Sequence, residues 1–421
     1  MELDGLLVGS AVLLLAYVVD IAARRWHFPS ILVLLAGGLV ANAFLDHEQV
    51  HQAIDGALPI LGTLGLILIV LEASLDLDLH RGNLGRLLQA LVAACLATIG
   101  LSLVLGFGFV WFLGLSQVQA GLLAIPLAIV SSAVAIPAAQ RLGDRAREFI
   151  TYESAFADIL GVLLFYSWLG SGGVASGFAL SLVGGGLATV ALSVVFVVGL
   201  YLLMSRLTGH VRFVPMMAGL LLLYSTGKAL GLAPLLLVLA FGLFLANLPA
   251  LQSRSSWLAQ LGSDDFPQVT REFKAQVTEL TFAVRSVFFI LLGLWTDLTS
   301  LASMRSLWLA AIILAVIYLI RWITLRAVRA PIRQGLLWVS PRGLITVLLM
   351  LTAFSQSGLT NQHFPVGAVM WVVLVSSAMV LLASRRPQDS VFAKAQGDES
   401  VASRGTAGDV VTQPTGDNRQ G

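Results

Sequence analysis

Long apolar segments recur along most of the chain, with short polar segments between them. They are about 17–25 residues long, and apolar and polar residues do not alternate within them, so the pattern predicts helices and not strands. We therefore predict an all-α membrane protein with about 13 transmembrane helices. The thirteen segments are 5–23, 29–45, 57–75, 87–113, 117–139, 149–168, 176–204, 212–229, 231–248, 277–296, 304–327, 336–355 and 364–384.

The amino-acid composition also indicates a membrane protein. Hydrophobic residues make up 57% and charged residues 11% of the 421 residues, with a mean hydropathy of +0.89, whereas soluble domains carry about 25% charged residues. A single cysteine, Cys95, excludes a disulfide framework and a thiolate metal site. The net charge of +2 gives no reason to expect a nucleic-acid partner, and no cofactor is predicted. We expect no cleavable signal peptide, because the first residues, MELDGLLVGS, are acidic and not basic.

Arginine and lysine residues concentrate in alternate loops between the predicted helices. Cytosolic loops carry the excess of positive charge, which places the N-terminus outside the cell membrane and the C-terminus in the cytosol. The other loops are acidic or nearly uncharged, apart from Lys228 and Arg305. The basic loops contain Arg24, Arg25, Arg81, Arg86, Arg141, Arg145, Arg147, Arg206, Arg212, Arg254, Arg271, Lys274, Arg326, Arg329, Arg333, Arg385 and Arg386.

The predicted helices divide into six, one and six. The first and the eighth cross the membrane in opposite directions, as expected for two inverted repeats joined by a linker helix. After residue 386 the chain becomes polar and rich in Gly, Ser and Asp, which predicts a disordered cytosolic tail.

Two carboxylates lie in the sixth apolar segment, in TYESAFADILGVLLF, with no basic residue between them. A charged group in hydrocarbon is costly and usually functional, so Glu153 and Asp158 are candidate site residues. Ser154 and Gly161 share the helix face of Asp158, and their small size predicts room there for water or a bare cation. The alternative is that both carboxylates are structural, each paired with a buried base.

Two of the predicted helices contain breaking residues. Prolines flank Ser131 and Ser132 in AIPLAIVSSAVAIPAAQRL, and Pro341 and Gly343 bracket Arg342 in WVSPRGLITVLL. Proline removes a backbone hydrogen bond and allows a helix to open where it lines a cavity. Interrupted helices in corresponding positions of two inverted repeats indicate a substrate site near the membrane midplane. Ordinary proline kinks are the alternative.

Arg321 is a basic residue within the eleventh apolar segment. It either extends to the cytosolic surface beside Arg326 or neutralises Glu153. In the second case Glu153 would hold the structure of the site, and the unpaired Asp158 would titrate and bind a cation.

Other charged residues lie near or within the apolar segments. Glu72, Asp76 and Asp78, at the cytosolic end of the third segment, are candidates for attracting cations to a funnel. Glu279 and Arg285 in the tenth segment form either a structural pair or part of a cavity wall on the side of a dimer contact.

Several stretches, in this order, resemble the monovalent cation:proton antiporter superfamily over residues 10–385. They are HFPSILVLLAGGLV, LEASLDLDLHRGNL, SSAVAIPAAQRL, YESAFAD, VFFILLGLWTDL, YLIRW and SPRGLITVLL. The resemblance implies a homodimer in which a core domain with two crossed interrupted helices moves against a scaffold domain. Scaffold helices would lie in 1–76 and 205–296, core helices in 77–168 and 297–385, a linker helix in 169–204, and the tail in 386–421.

The resemblance also implies roles for individual residues. Asp158 matches the ion-binding aspartate, Glu153 and Arg321 match a buried ion pair, and Arg342 matches an arginine at the start of the second interrupted helix. The residue before the aspartate is Asn in the electroneutral branch and Asp in the electrogenic branch of the superfamily, but here it is Ala157.

These patterns predict exchange of sodium or potassium for protons at Asp158. Desolvation favours the neutral form of a carboxylate and a nearby cation favours the charged form, so the proton and the cation exclude each other. Ser131, Ser132, Ser154 and backbone carbonyls at the helix breaks would supply further oxygen ligands. Only one unpaired carboxylate is evident, so we expect electroneutral exchange. A cation uniporter or channel is the alternative, and a membrane enzyme is less well supported, because the apolar segments contain no nucleophile–base pair.

Overall fold

A computed structural model of the protein describes residues 2–26, 30–44, 47–75, 84–140, 142–173, 175–206, 213–230, 234–252, 266–330, 335–358 and 364–384. Within these ranges the chain is helical and contains no strand. The predicted tail and the acidic residues Asp76 and Asp78 lie outside the described residues. Glu72 is half-buried in the last turn of the third helix.

Sixteen helices, two of them one turn or little more, make up the described part of the chain. A π-helical turn, Ser181–Gly185, joins α8 to α9. The helices are α1 Glu2–Trp26, α2 Ser30–Asn42, α3 His47–Leu75, α4 Leu84–Leu113, α5 Gln117–Ala128, α6 Ser132–Ala139, α7 Asp144–Gly170, α8 Ala175–Leu180, α9 Gly186–Arg206, α10 Phe213–Ala229, α11 Pro234–Gln252, α12 Phe266–Trp295, α13 Leu298–Ala302, α14 Met304–Ala327, α15 Leu344–Ser357 and α16 Val366–Ser384.

Each predicted apolar segment coincides with an apolar helix or interrupted helix of the structure. In the described residues, seven helical segments are long and apolar enough to cross a membrane, and six further apolar helices are shorter. The all-α membrane fold is thus confirmed, whereas the number of thirteen spans stays a prediction. Large apolar side chains cover the outer surface of these helices, where lipid would contact them, for example Leu14, Leu15, Trp111, Phe112 and Trp308.

The two predicted helix interruptions are present. The fifth apolar segment ends as α5 at Ala128 and resumes as α6 at Ser132, because Pro126 and Pro137 weaken the helical hydrogen-bond pattern around the break. In the twelfth segment, residues 335–343 form turns and extended chain, and the helix α15 begins only at Leu344.

The helices pack in two groups. In the first group, α2 and α3 pack against α12, α3 packs against α11, and α10 also packs against α11. In the second group, α4 packs against α5, α7 and α14, while α6 packs on α7, α14 on α16, and α5 on α15. The groups meet where α3 contacts α15 and where α7 contacts α11.

Glycine allows the closest helix approach in the first group. A Cβ atom on Gly38 of α2 would collide with the α12 backbone at Ile290 and Gly293, and one on Gly293 would collide with the α2 backbone. Near the ends of these helices, the Asn42 side-chain amide donates to the Thr296 carbonyl at 2.7 Å. Small residues that bring two backbones together stabilise helix pairs in membranes, and α2 and α12 pack in this way.

Candidate functional site

Asp158 is a buried carboxylate in the middle of α7. Its exposed fraction is 3%, and neither carboxylate oxygen has a hydrogen-bond partner. Burial of a charged group without hydrogen bonds is strongly unfavourable. The group is therefore stable either as a neutral acid or with a bound cation.

The start of α6 lies beside this carboxylate. The hydroxyl and the backbone amide of Ser132 interact electrostatically with Asp158, although neither the Ser132 hydroxyl nor the Asp158 carboxylate has a hydrogen-bond partner. Ser131, the residue before α6, makes no side-chain cap to this helix. The positive end of the α6 dipole thus acts on the Asp158 carboxylate.

Ser131 also marks the point at which the two interrupted helices cross. Its backbone N–H donates to the Pro341 carbonyl at 2.9 Å. Its hydroxyl lies against Gly343, where a Cβ atom would collide with it. The break in the fifth segment is therefore hydrogen-bonded directly to the break in the twelfth.

Ser154 lies one turn before Asp158 and is buried. Its hydroxyl donates weakly to the Thr151 carbonyl of its own helix, at 3.4 Å. Gly161, one turn after Asp158, packs against the side chain of Ile129, and a Cβ atom there would collide with it. The expectation that Gly161 leaves room for a cation is wrong, because Ile129 from the α5–α6 break fills that space.

A small recess next to Asp158 opens on another side of α7. It is large enough for about one water molecule, and it lies between α3, α7 and α11. Its other walls are apolar: Val70, Ile159, Val162, Leu235, Leu236 and Leu239. The carboxylate thus faces the boundary between the two helix groups.

Glu153 and Arg321 form a buried ion pair, with exposed fractions of 1% and 2%. Arg321 Nη1 donates to Glu153 Oε1. The same guanidinium donates to the carbonyls of Leu336, at 3.3 Å, and Val339, at 3.1 Å. Arg321 therefore does not extend to the cytosolic surface, and it also holds the extended chain that precedes α15.

Arg342 is buried in that extended chain, with an exposed fraction of 1%. Its Nη1 is 3.4 Å from the Ser340 hydroxyl, and its Nε has no partner. Tyr318, Arg321 and Glu153 act on it electrostatically. The structure places Arg342 beside the ion pair.

Two further residues of the site were not anticipated from the sequence. The backbone N–H of Arg342 donates to Ser376, and the hydroxyl of Ser377 donates to the Arg342 carbonyl. Adjacent serines in the apolar segment 364–384 were the available signal.

Elsewhere, Glu279 lies on the exposed surface of α12 and Arg285 is half-buried on the same helix.

The site's chemistry is that of oxygen ligands. Among the described residues, no group of three or more His, Cys, Asp or Glu side chains could hold a metal ion as a cofactor. A single carboxylate with neighbouring hydroxyls and backbone carbonyls suits a proton or a monovalent cation as a bound substrate.

The sequence profile described as "Sodium/hydrogen exchanger, transmembrane" matches residues 10–383. No curated protein sequence gives a significant match.

Two solved structures share the fold. The structure of the sodium proton antiporter MjNhaP1 from Methanocaldococcus jannaschii at pH 8 matches with a TM-score of 0.68 and 19% identity, over 91% of this chain and 96% of that chain. An electron-microscopy structure of the same antiporter matches with a TM-score of 0.67 and 18% identity, over 99% of this chain and 100% of that chain. The profile match covers nearly all of the described helices, and the chain belongs to the sodium/hydrogen exchanger family of transmembrane cation/proton antiporters.

Proposed function

We propose that this protein exchanges a monovalent cation, sodium or potassium, for protons at Asp158. The observation that carries the proposal is the carboxylate itself, which is buried in a membrane helix, has no hydrogen-bond partner and borders a recess between two helix groups. The name of the MjNhaP1 structures, a sodium proton antiporter, supports sodium as the first cation to test.

Competition at one carboxylate is the proposed mechanism. Burial favours the protonated, neutral form of Asp158, whereas a cation in the recess favours the charged form. The two ligands exclude each other for this reason. Ser132 and Ser154, together with Ser131 and the backbone carbonyls at the α5–α6 break, are the proposed oxygen ligands of the cation.

We propose electroneutral, one-for-one exchange. Glu153 is already compensated by Arg321, and the neighbour of Asp158 in sequence is Ala157, which has no ionisable group. Asp158 would therefore be the one membrane-embedded carboxylate of the site that changes its ligand. With a proton or with a cation bound the site is neutral, so its movement across a low-dielectric barrier avoids the cost of a bare charge.

The two helix groups suggest the moving parts. We propose a scaffold from residues 1–76 and 205–296, a core from 77–168 and 297–385, a linker in 169–204 and a cytosolic tail in 386–421. The recess lies where α7 of the core meets α3 and α11 of the scaffold, which is where movement of the core would expose Asp158 to either side. We further propose a homodimer in the cell membrane, with the N-terminus outside, as the loop charges indicate.

The test is exchange by purified protein in proteoliposomes with an imposed pH gradient. Sodium, lithium, potassium and rubidium are added in turn, and luminal pH is recorded. We expect one or more cations to dissipate the gradient with wild-type protein and none to do so with Asp158→Asn.

Asp144→Asn is the matched control, because Asp144 lies at the exposed start of the same helix and pairs with Arg147 at 3.3 Å. It should leave exchange unchanged. Entry of labelled cation without proton movement would contradict the proposal and identify a uniporter or channel.

A further inference from the structure

Ser376 and Ser377 are adjacent residues of α16, each with an exposed fraction of 0%. Both bind the backbone of Arg342. The Arg342 N–H donates to Ser376 Oγ at 2.9 Å, and Ser377 Oγ donates to the Arg342 carbonyl oxygen at 3.2 Å. The Ser376 hydroxyl gives its own proton to the Val373 carbonyl, at 3.3 Å, which orients its oxygen as the acceptor. We call Ser376 and Ser377 the serine clamp.

The clamp acts where the backbone has lost its helical partners. Arg342 lies in the extended chain between Gly335 and Leu344, the start of α15. In a membrane no bulk water is available to satisfy these backbone groups, so an interrupted helix requires partners from neighbouring helices. The clamp satisfies both the donor and the acceptor of one residue, which lies two positions before the start of α15.

A short series of contacts connects the clamp to Asp158. Pro341, the residue before Arg342, accepts the Ser131 N–H at 2.9 Å. Ser131 is followed by Ser132, which begins α6 and acts on the Asp158 carboxylate. A shift of the backbone at Arg342 would therefore displace Ser132 from its present place beside Asp158.

We propose that the serine clamp is a pair of positioning residues for cation binding. It fixes the second interruption relative to α16, and through Pro341 and Ser131 it sets the position of the α6 start at Asp158. Neither serine touches the cation in this proposal. The inference rests on the proposed cation/proton exchange and adds to it two residues outside the binding site.

The experiment compares the full-length Ser376→Ala and Ser377→Ala variants with wild type in proteoliposomes. Loss of one buried hydrogen bond is expected to raise the cation concentration for half-maximal exchange by about three- to tenfold, with a smaller change in maximal rate. Ser376→Thr and Ser377→Thr keep the hydroxyl but add a methyl group at fully buried positions, so a threonine variant that is less impaired than the alanine variant would support the hydrogen bond. Ser376→Cys keeps the volume but has a weak acceptor, so its effect should be intermediate.

Ser193→Ala is the matched control. Ser193 is also buried in a membrane helix, but its hydroxyl donates to the Thr189 carbonyl of its own helix, at 2.7 Å. This control should not change the half-saturating concentration. Equal half-saturation in wild type and the alanine variants would overturn the inference. If the alanine variants do not fold, the comparison of Ser376→Cys with wild type decides, and equal half-saturation would overturn the inference.

Amide hydrogen exchange separates this inference from the proposed function. Exchange at the Arg342 amide should be faster in Ser376→Ala or Ser376→Cys than in wild type, whether or not the protein transports ions. Unchanged amide exchange at Arg342 would overturn the clamp even if transport is intact. If wild-type protein moves no protons while amide exchange at Arg342 is still faster in Ser376→Ala, the proposed function is refuted and only the hydrogen bonds of the clamp are supported.

Discussion

At the scale of single residues, the two buried carboxylates of α7 differ in how they are compensated. Glu153 accepts from Arg321, and that guanidinium has two further carbonyl acceptors. Asp158, on the same helix, has no hydrogen-bond partner. One carboxylate is thereby held in a fixed, charged pair, and the other is left for a ligand.

The ion pair leads to a stability prediction. Glu153→Gln leaves the Arg321 guanidinium buried without its counter-charge, which typically costs about 3–5 kcal/mol. We expect a clear drop in the thermal unfolding temperature of the detergent-solubilised protein.

The Arg86–Glu148 pair provides the control. It joins the N-terminal parts of α4 and α7, with side-chain exposed fractions of 53% and 20%. Solvent screens such a pair, so Glu148→Gln should cost no more than about 1 kcal/mol. Similar unfolding temperatures for the two variants would contradict the structural role assigned to Glu153.

At the scale of helices, interruptions and close crossings fix the site in space. At the α5–α6 break, the side chain of Ile129 packs against Gly161 of α7. The Ser131 N–H of the same break donates to the Pro341 carbonyl in the chain before α15. In the other helix group, α2 and α12 are in backbone contact at Gly38 and Gly293. The α5–α6 break beside Asp158 and the α2–α12 pair are therefore each positioned by a contact that tolerates little added volume.

Two neighbouring glycines test the α2–α12 contact. Gly38→Ala places a methyl group against the α12 backbone, so the helices must separate, and we expect much less folded protein by size-exclusion chromatography. Gly37 has open space where its Cβ would be, so Gly37→Ala should be tolerated. Equal yields of folded protein for both variants would show that α2 and α12 are not in backbone contact.

Much of the helical architecture could be predicted from the sequence because apolar length is a local property. All apolar segments coincide with helices, and the prolines around Ser131 and the Pro341–Gly343 motif marked the two interruptions. The segment 336–355 was predicted as one span, but only its second part is helical. Its first part is held open by Arg321 and the serine clamp, and such partners come from distant parts of the chain.

The candidate site was accessible to sequence reasoning where charge was the signal. An acid and a base in otherwise apolar segments suggested the pairing of Glu153 with Arg321, because each would be costly alone. Hydroxyl groups carry a weaker signal: Ser376 and Ser377 look like ordinary small residues of a membrane helix. Gly161 was misinterpreted because spacing along one helix does not reveal which neighbour, here Ile129, occupies the space beside it.

At the scale of the whole molecule, two groups of helices meet beside Asp158, whose carboxylate has no hydrogen-bond partner among the described residues. This arrangement predicts that turnover does not depend on membrane potential. If one net charge crossed the membrane per cycle, a potential of 100 mV would change the driving force by about 2.3 kcal/mol. The membrane potential of proteoliposomes is set to either sign with an ionophore for a cation that the protein does not transport. Exchange rates at a fixed pH gradient should then be equal at both signs. A rate that rises with one polarity and falls with the other would establish electrogenic exchange.

The apolar wall of the recess has a consequence for coupling fidelity. The side chains of Leu235, Leu236 and Leu239 in α11 offer no polar atom to an ionised Asp158. Under the proposed exchange, a core domain with neither proton nor cation bound would therefore have to move a bare charge past apolar side chains, which is unfavourable. Slippage, in which the core returns with neither proton nor cation bound, is thus suppressed by hydrocarbon side chains that do not bind the ion. Ion affinity and tightness of coupling would then reside in different halves of the molecule. One could change without the other, and a transporter that leaks protons could still bind its cation normally.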